Sequence, residues 1–244
     1  TFPGSFGMYL AARWDYPDQS PVKSHVLFAH CFTCNKNLKA TVNISKALNR
    51  LGIAVFRFDF TGLGESDGDF ADTNFTSNVD DLVAAARYME ERGEAPDMLI
   101  GHSLGGAAVL QAAPQLASVK AVVTIGAPHD PGHVAHLVAS KRDEIERDGM
   151  AKVSIGGRRF PIKKQFLDDL ERGGREDTIA ALRRALLVMH SPVDNVVGIQ
   201  NAAHIFDAAR HPKSFVSLDD ADHLLSREED SRYAAHVMAA WAER

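Results

Sequence analysis

Gly101-His102-Ser103-Leu104-Gly105 matches the pattern G-x-S-x-G. A serine hydroxyl is a poor nucleophile at neutral pH, so this pattern carries chemistry only where the chain also supplies a base. Alone it is weak; its surroundings strengthen it. Met98–Ile100 reads as a short strand, and Leu104–Leu116 as a helix that begins at the motif. A strand–turn–helix elbow is the context the pattern needs. Such a turn holds the serine in a strained backbone conformation, with Oγ clear of the sheet. Gly101 and Gly105 let the neighbouring chain pass close. The helix start offers free N–H groups and a positive dipole end to a developing oxyanion.

Eleven histidines compete for the role of base. With the elbow serine first, the expected chain order is serine, acid, histidine. His223 follows a strand at Ser214–Leu218 through Asp219-Asp220-Ala221-Asp222 and precedes the terminal helix. His236 falls inside that helix, and His211 precedes the strand. For the acid, His190-Ser191-Pro192-Val193-Asp194-Asn195-Val196-Val197 places Asp194 in a turn at the end of the preceding strand, Leu186–His190. Buried and ionised, Asp194 accepts from Nδ1–H of His223 and stabilises the imidazolium as it forms. Asp219, Asp220 and Asp222 compete by nearness, but read more simply as a solvated acidic turn. Two amides are then needed for the oxyanion. Leu104 supplies one, and Phe32, in the loop His30-Cys31-Phe32-Thr33-Cys34 after Val26–Ala29, the other.

Two other clusters need weighing. Cys31-x-x-Cys34 can be a redox pair or half a zinc site, but no second C-x-x-C exists. The expectation is two small, partly buried thiols that shape the oxyanion loop. His129, His133 and His136 have loose metal-like spacing without carboxylate support, and read as polar surface rather than a metal site. No cofactor is expected.

Apolar runs alternate with helical patterns: strand Val22–His30, helix Asn37–Leu51, strand Ile53–Phe58, helix Phe75–Arg92, and later strands at Val119–Ile125, Leu186–His190 and Ser214–Leu218. The terminal helix runs roughly Asp230–Ala242, and Phe6–Trp14 reads as an antiparallel edge strand. Continuous apolar strands are buried on both faces, and their alternation with helices implies right-handed crossovers in a doubly wound, mostly parallel sheet. The fold class is therefore α/β, one domain over 1–244. The rhythm breaks between Ile125 and Leu186. There a polar helical piece (Val134–Arg147), a hairpin signal around Gly156-Gly157 and a helical Phe166–Glu171 suggest a cap insertion at about 128–180, over the edge where open α/β sheets bind ligands.

The chain has 244 residues, 45% of them hydrophobic and 24% charged, and a net charge of −5. That balance fits a folded domain and gives no electrostatic footprint for nucleic acid or an anionic membrane. Two cysteines and no visible signal peptide fit a reducing cytosol, hence a cytoplasmic location. The opening Thr-Phe-Pro, without Met, is compatible with a removed leader or a shortened chain.

These motifs carry a resemblance over nearly the whole chain, which looks like an α/β-hydrolase. His30-Cys31-Phe32 stands where such enzymes usually carry His-Gly-aromatic, with Cys31 a departure. Phe58-Asp59-Phe60-Thr61-Gly62-Leu63-Gly64-Glu65-Ser66 resembles their D-x-x-G-x-G-x-S turn, read here as structural. More closely, His30–Lys39, Phe58–Asn78, Thr124–Pro128 and Arg159–Leu170 resemble the hydrolase domain of bacterial proteins that join an α/β-hydrolase to an OsmC-like domain. That resemblance implies a serine esterase working through an acyl-enzyme on a small-molecule ester. It also implies an OsmC-like domain following in a longer native protein. The turn after Asp59 also resembles bacterial cinnamoyl and feruloyl esterases, which makes aryl esters plausible substrates. Cap residues such as Phe160, Phe166 and Leu167 are expected to line an apolar pocket. Thioesterase, perhydrolase and lyase chemistry on the same triad, or a non-catalytic hydrolase-like module, are the alternatives.

Overall fold

The computed structural model describes residues 1–18, 21–155, 157–172 and 176–243. Ile53–Phe58 and Met98–His102 are buried at every position, as strands sandwiched between helical layers must be. They belong to a seven-stranded sheet in the order Lys213–Ser217, Ala185–His190, Ala121–Ile125, Met98–His102, Ser24–Ala29, Ile53–Phe58, Ala12–Asp15. All neighbours run parallel except Ala12–Asp15, which pairs antiparallel with Ile53–Phe58 at one edge. In the centre, Leu99 lies in register with Leu27 on one side and Val122 on the other.

Side chains alternate between the two faces, so each strand feeds two cores. One joins Leu27, Leu99, Val122 and Leu186 to Leu82 of helix Phe75–Glu91, Val109 of helix Leu104–Ala112 and Ile205 of helix Gln200–Ala208. The other joins Val26, Ile100, Val123 and Leu187 to Ile44 of helix Lys39–Arg50 and Met238 of helix Glu228–Ala242. This is the doubly wound α/β architecture that the alternation of patterns implied.

Several boundaries differ from expectation. The edge strand is confined to Ala12–Asp15, because Phe2–Pro3 and Tyr9–Leu10 form their own small antiparallel ladder. That ladder closes through Gly4 N–H to Met8 O at 2.8 Å. The helix after the elbow is α-helical to Ala112 and tightens to a 3₁₀ turn at Ala113–Gln115. Pro114 has no N–H to continue the α-helical ladder.

The long insertion packs on the first core. Instead of one helical piece over Val134–Arg147 it is a chain of short turns: Pro131–Val134, Ala135–Val138, Ala139–Lys141 and Arg142–Asp148. Among 135–148 only Val138 and Ile145 are buried, too sparse a stripe to hold a continuous helix, whose stability comes mainly from a packed face. The hairpin pairs Met150–Ile155 with Arg158–Lys163 and turns Ala151, Val153 and Ile162 inward. Gly156, half of the expected Gly-Gly turn, lies outside the described residues. Helix Lys164–Glu171 follows, and then a further short helix, Glu176–Ala180, that sequence reasoning did not anticipate.

The insertion is fastened at several points. Buried Asp169 accepts from Thr76 N at 2.8 Å and Thr76 Oγ1 at 2.6 Å, holding the start of helix Phe75–Glu91. Lys163 pairs with Asp72, and Arg158 donates to the carbonyl of Thr33. No helix among the described residues is long and apolar enough to cross a membrane.

Candidate active site

The parallel strands all end at one edge of the sheet, so the loops leaving their carboxyl ends meet there. Ser103 directly follows Met98–His102 and caps helix Leu104–Ala112. Its backbone has φ 55° and ψ −124°, a region L residues rarely occupy. The turn is fixed by Ser103 N–H to Ile125 O at 2.8 Å and Gly106 N–H to Ser103 O at 2.8 Å. It requires its glycines. A Cβ on Gly105 would lie 2.4 Å from Ala29 O, and one on Gly101 would lie 2.3 Å from Gly105 O.

His223 Nε2 lies 3.0 Å from Ser103 Oγ, and His223 Nδ1 lies 2.7 Å from Asp194 Oδ2. All three residues are buried. With Nδ1–H donating to the carboxylate, Nε2 is the acceptor for the serine proton. The other carboxylate oxygen of Asp194 accepts from Val196 N at 2.8 Å and Val197 N at 2.9 Å. Burial works against the charge of Asp194, but hydrogen bonds from His223, Val197 and Val196 outweigh it. They hold its pKa below the ordinary carboxylate value. The neighbouring acids point elsewhere: Asp219 accepts from Ser217 Oγ at 2.6 Å, and Asp222 from Ser226 N at 2.8 Å. Asp220 is exposed, and its main-chain carbonyl accepts from Arg227 at 3.3 Å.

Phe32 and Leu104 are the two expected oxyanion donors. Among the described residues neither main-chain N–H donates to a protein acceptor. Leu104 is buried and Phe32 half-buried, and Leu104 directly follows the strained serine. The Cys31–Phe32 peptide is oriented by His30, whose Nδ1 lies 2.8 Å from Cys31 O. Phe32 stacks on Phe166 of the insertion at 5.4 Å between ring centres and tilts against Phe70 at 5.8 Å; Phe70 meets Phe160 at 5.3 Å. Leu167 is buried in the same core.

The two cysteines correct the expectation of free thiols: Cys31 and Cys34 are joined in a disulfide. A tight turn, closed by Cys34 N–H to Cys31 O at 3.1 Å with Thr33 at φ 60°, brings their Cα atoms to 5.3 Å, within bonding range. His129 sits against His204 and Asn201, while His133 and His136 lie edge to face at 4.8 Å. No group of three or more potential metal ligands occurs among the described residues.

Sequence reasoning missed two buried histidines. His102 Nε2 lies 2.7 Å from the carbonyl oxygen of His223, and His190 Nε2 lies 2.7 Å from that of Val197. Burial pushes both imidazoles down, His102 to about 3, so each is neutral and donates its Nε2–H. The available signal was their position: like His30, each stands at the carboxyl end of a strand pattern.

A family model described as serine aminopeptidase, S33, matches residues 20–152. The chain belongs to this family of α/β-hydrolases. The hydrolase is 50% identical to the esterase domain of a Rhodothermus marinus protein, covering 99% of this chain and 95% of that one with a TM-score of 0.79. Family and neighbour together make it a serine hydrolase. The fold is shared with Est1E of Butyrivibrio proteoclasticus, whose structure holds ferulic acid, at 21% identity, full coverage of both chains (100% each) and a TM-score of 0.81. Mouse mitochondrial ABHD10, a palmitoyl-protein thioesterase, is 25% identical over 214 residues, 85% of this chain and 68% of its own length. Of curated relatives from Salmonella typhimurium and Salmonella typhi, the chain spans 61% of the length.

Proposed function

We propose that the hydrolase is a carboxylesterase that cleaves small acyl or aryl esters through an acyl-enzyme, with Ser103 as nucleophile, His223 as base and Asp194 as orienting acid. One observation carries the reading: a hydroxyl, an imidazole and a buried carboxylate in line at 3.0 Å and 2.7 Å. His223 takes the proton of Ser103 as Oγ attacks the ester carbonyl. The N–H groups of Phe32 and Leu104 receive the negative oxygen, a contribution of about 3 kcal/mol per donor at such sites. His223 then protonates the leaving alcohol and later activates the water that frees the acyl group. Asp194 keeps the imidazole in the tautomer with Nδ1 protonated.

The insertion acts in this proposal as a cap. Its Phe160 and Phe166 extend the aromatic cluster that begins at Phe32, which suits an apolar or aryl group beside the oxyanion loop. The ferulic acid held by Est1E puts hydroxycinnamoyl esters on the test panel. The likeness to ABHD10 adds thioesters as the second reading.

The experiment is fluorophosphonate labelling of the wild type and Ser103→Ala, followed by kinetics on p-nitrophenyl, hydroxycinnamoyl and thioester substrates. Labelling that depends on Ser103 and a preference for oxygen esters are expected. A thioester preference moves the assignment to the second reading, and an unlabelled wild type overturns both. An OsmC-like domain following in the native protein, tested by sequencing the full reading frame, belongs to the same proposal. So does a cytoplasmic location, tested by fractionation.

A further inference from the structure

We propose that His102 is a positioning residue for the base: its imidazole grips the main-chain carbonyl of His223 and so sets the reach of that side chain toward Ser103. The inference rests on the triad reading above, since it concerns how His223 is held rather than what it does.

His223 sits in a loop, and its own side-chain contacts do not fix it. The bond to Asp194, itself held by the amides of Val196 and Val197, orients the ring but touches no main-chain atom of His223. The main chain is held by His102 Nε2–H to His223 O, 2.7 Å long and joining positions 121 residues apart. His102 is 98% shielded (relative exposure 2%) and closes a strand whose residues 98–102 are all in register with Ala121–Ile125. It is also the residue directly before Ser103. One rigid strand end therefore presents the nucleophile and, through the adjacent side chain, holds the base. Their separation is set within a single element rather than between two independent loops.

The chemistry of the side chain suits the task. A carbonyl can only accept, so His102 serves as the Nε2–H tautomer, with Nδ1 unprotonated. The two imidazoles stand 5.2 Å apart at 37°. A lysine or arginine would also donate there, but a full positive charge at that distance opposes the imidazolium that forms on His223 during attack. A neutral ring supplies the donor without that penalty.

The test compares His102→Phe, which keeps a ring but no donor, with His102→Gln, which restores a donor. Displacement of a catalytic group by about 1 Å costs on the order of 100-fold. His102→Phe is expected to lower kcat by roughly 10- to 100-fold with KM within about twofold of wild type, and to slow fluorophosphonate labelling in parallel. His102→Gln is expected to recover most of that loss. Wild-type kcat in His102→Phe overturns the inference, as does an equal fall in both variants, which marks a packing role. In the wild type, nitrogen-15 NMR of the histidines should find His102 protonated at Nε2. The Nδ1–H tautomer overturns the inference whether or not the variants fold. Absence of Ser103-dependent labelling in the wild type removes the triad reading and this inference with it. Labelled wild type with unaffected variants removes this inference alone.

Discussion

Replacing Ser103 by glycine should stabilise the protein relative to replacing it by alanine. Ser103 is held at φ 55°, ψ −124°. A residue with a Cβ in such a region carries strain of order 1–3 kcal/mol. Ser103→Ala and Ser103→Gly both lose Oγ and its 3.0 Å contact with His223, so that loss cancels in the comparison. What differs is the Cβ. Glycine releases the strain, about 2 kcal/mol at mid-range, and gives back roughly 0.5–1 kcal/mol through its freer unfolded chain. The net advantage of glycine is about 1 kcal/mol. At about 2.1 cal/mol/K per residue, a chain of 244 residues has an unfolding entropy near 0.5 kcal/mol/K, so Tm should rise by about 2 °C from alanine to glycine. Calorimetry on the two variants reads this directly, and both should be dead to fluorophosphonate. An alanine variant as stable as the glycine one would refute the claim that the elbow stores strain at this residue.

Asp194→Asn keeps an acceptor for Val196 and Val197 but reverses the tautomer of His223; kcat should fall about 10⁴-fold, and a loss under tenfold in steady-state assays contradicts the assigned acid. Asp169→Ala leaves Thr76 N–H and Oγ–H without their buried acceptor, so denaturant titration should show a loss of about 2 kcal/mol; no measurable change removes this fastening from the account. Burial holds the folded pKa of His102 at about 3, below the ordinary histidine value of 6.5. The unfolded state then binds the proton first, and stability falls as pH drops from 6.5. Between pH 6.5 and 5 the wild type should lose about 2 kcal/mol more than His102→Gln, and parallel stability curves would contradict a neutral His102. Cys31→Ser with Cys34→Ser should keep most esterase activity, because His30 still holds the Cys31 carbonyl; near-complete loss in a folded double mutant assigns the disulfide a larger part.

The layered sheet was legible because a parallel strand buried on both faces has to be largely apolar, as Met98–Ile100 is and as Ile53–Phe58 is apart from Arg57, whose buried charge is paired with Asp15. The elbow could be read because a strand, a tight turn and a helix follow one another within a few residues, although Gly105 answers to Ala29 O on a neighbouring strand far away in sequence. The insertion was legible only as an interruption: its turns are set by contacts such as Asp169 with Thr76, 93 residues apart, which no local period encodes. The hairpin survived because Val153 and Phe160 pair across a short turn, where alternation still speaks. Cys31 and Cys34 misled because composition counts cysteines while bonding depends on the turn between them. His102 and His190 were passed over because the search was for histidines that react, and these two hold carbonyls.

Those carbonyls point to a general demand of the site. A loop that leaves a parallel sheet to carry a functional group also leaves the ladder that satisfied its backbone. Its buried C=O groups need donors, and where the surrounding loops close over them those donors have to come from the protein. A charged donor would solve the hydrogen bonding and upset the electrostatics, because the base must become an imidazolium and the oxyanion its counterpart. His30, His102 and His190 solve both at once. Burial keeps the imidazoles of His30 and His102 neutral, at about 4 and about 3, and lowers that of His190 as well. Each gives one N–H to the peptide that aims the Phe32 amide, the main chain of His223 or the turn that holds Asp194. In the proposed mechanism the positive charge falls on His223 alone, and burial holds the three histidines around it below the ordinary imidazole range while each donates an N–H to a main-chain carbonyl.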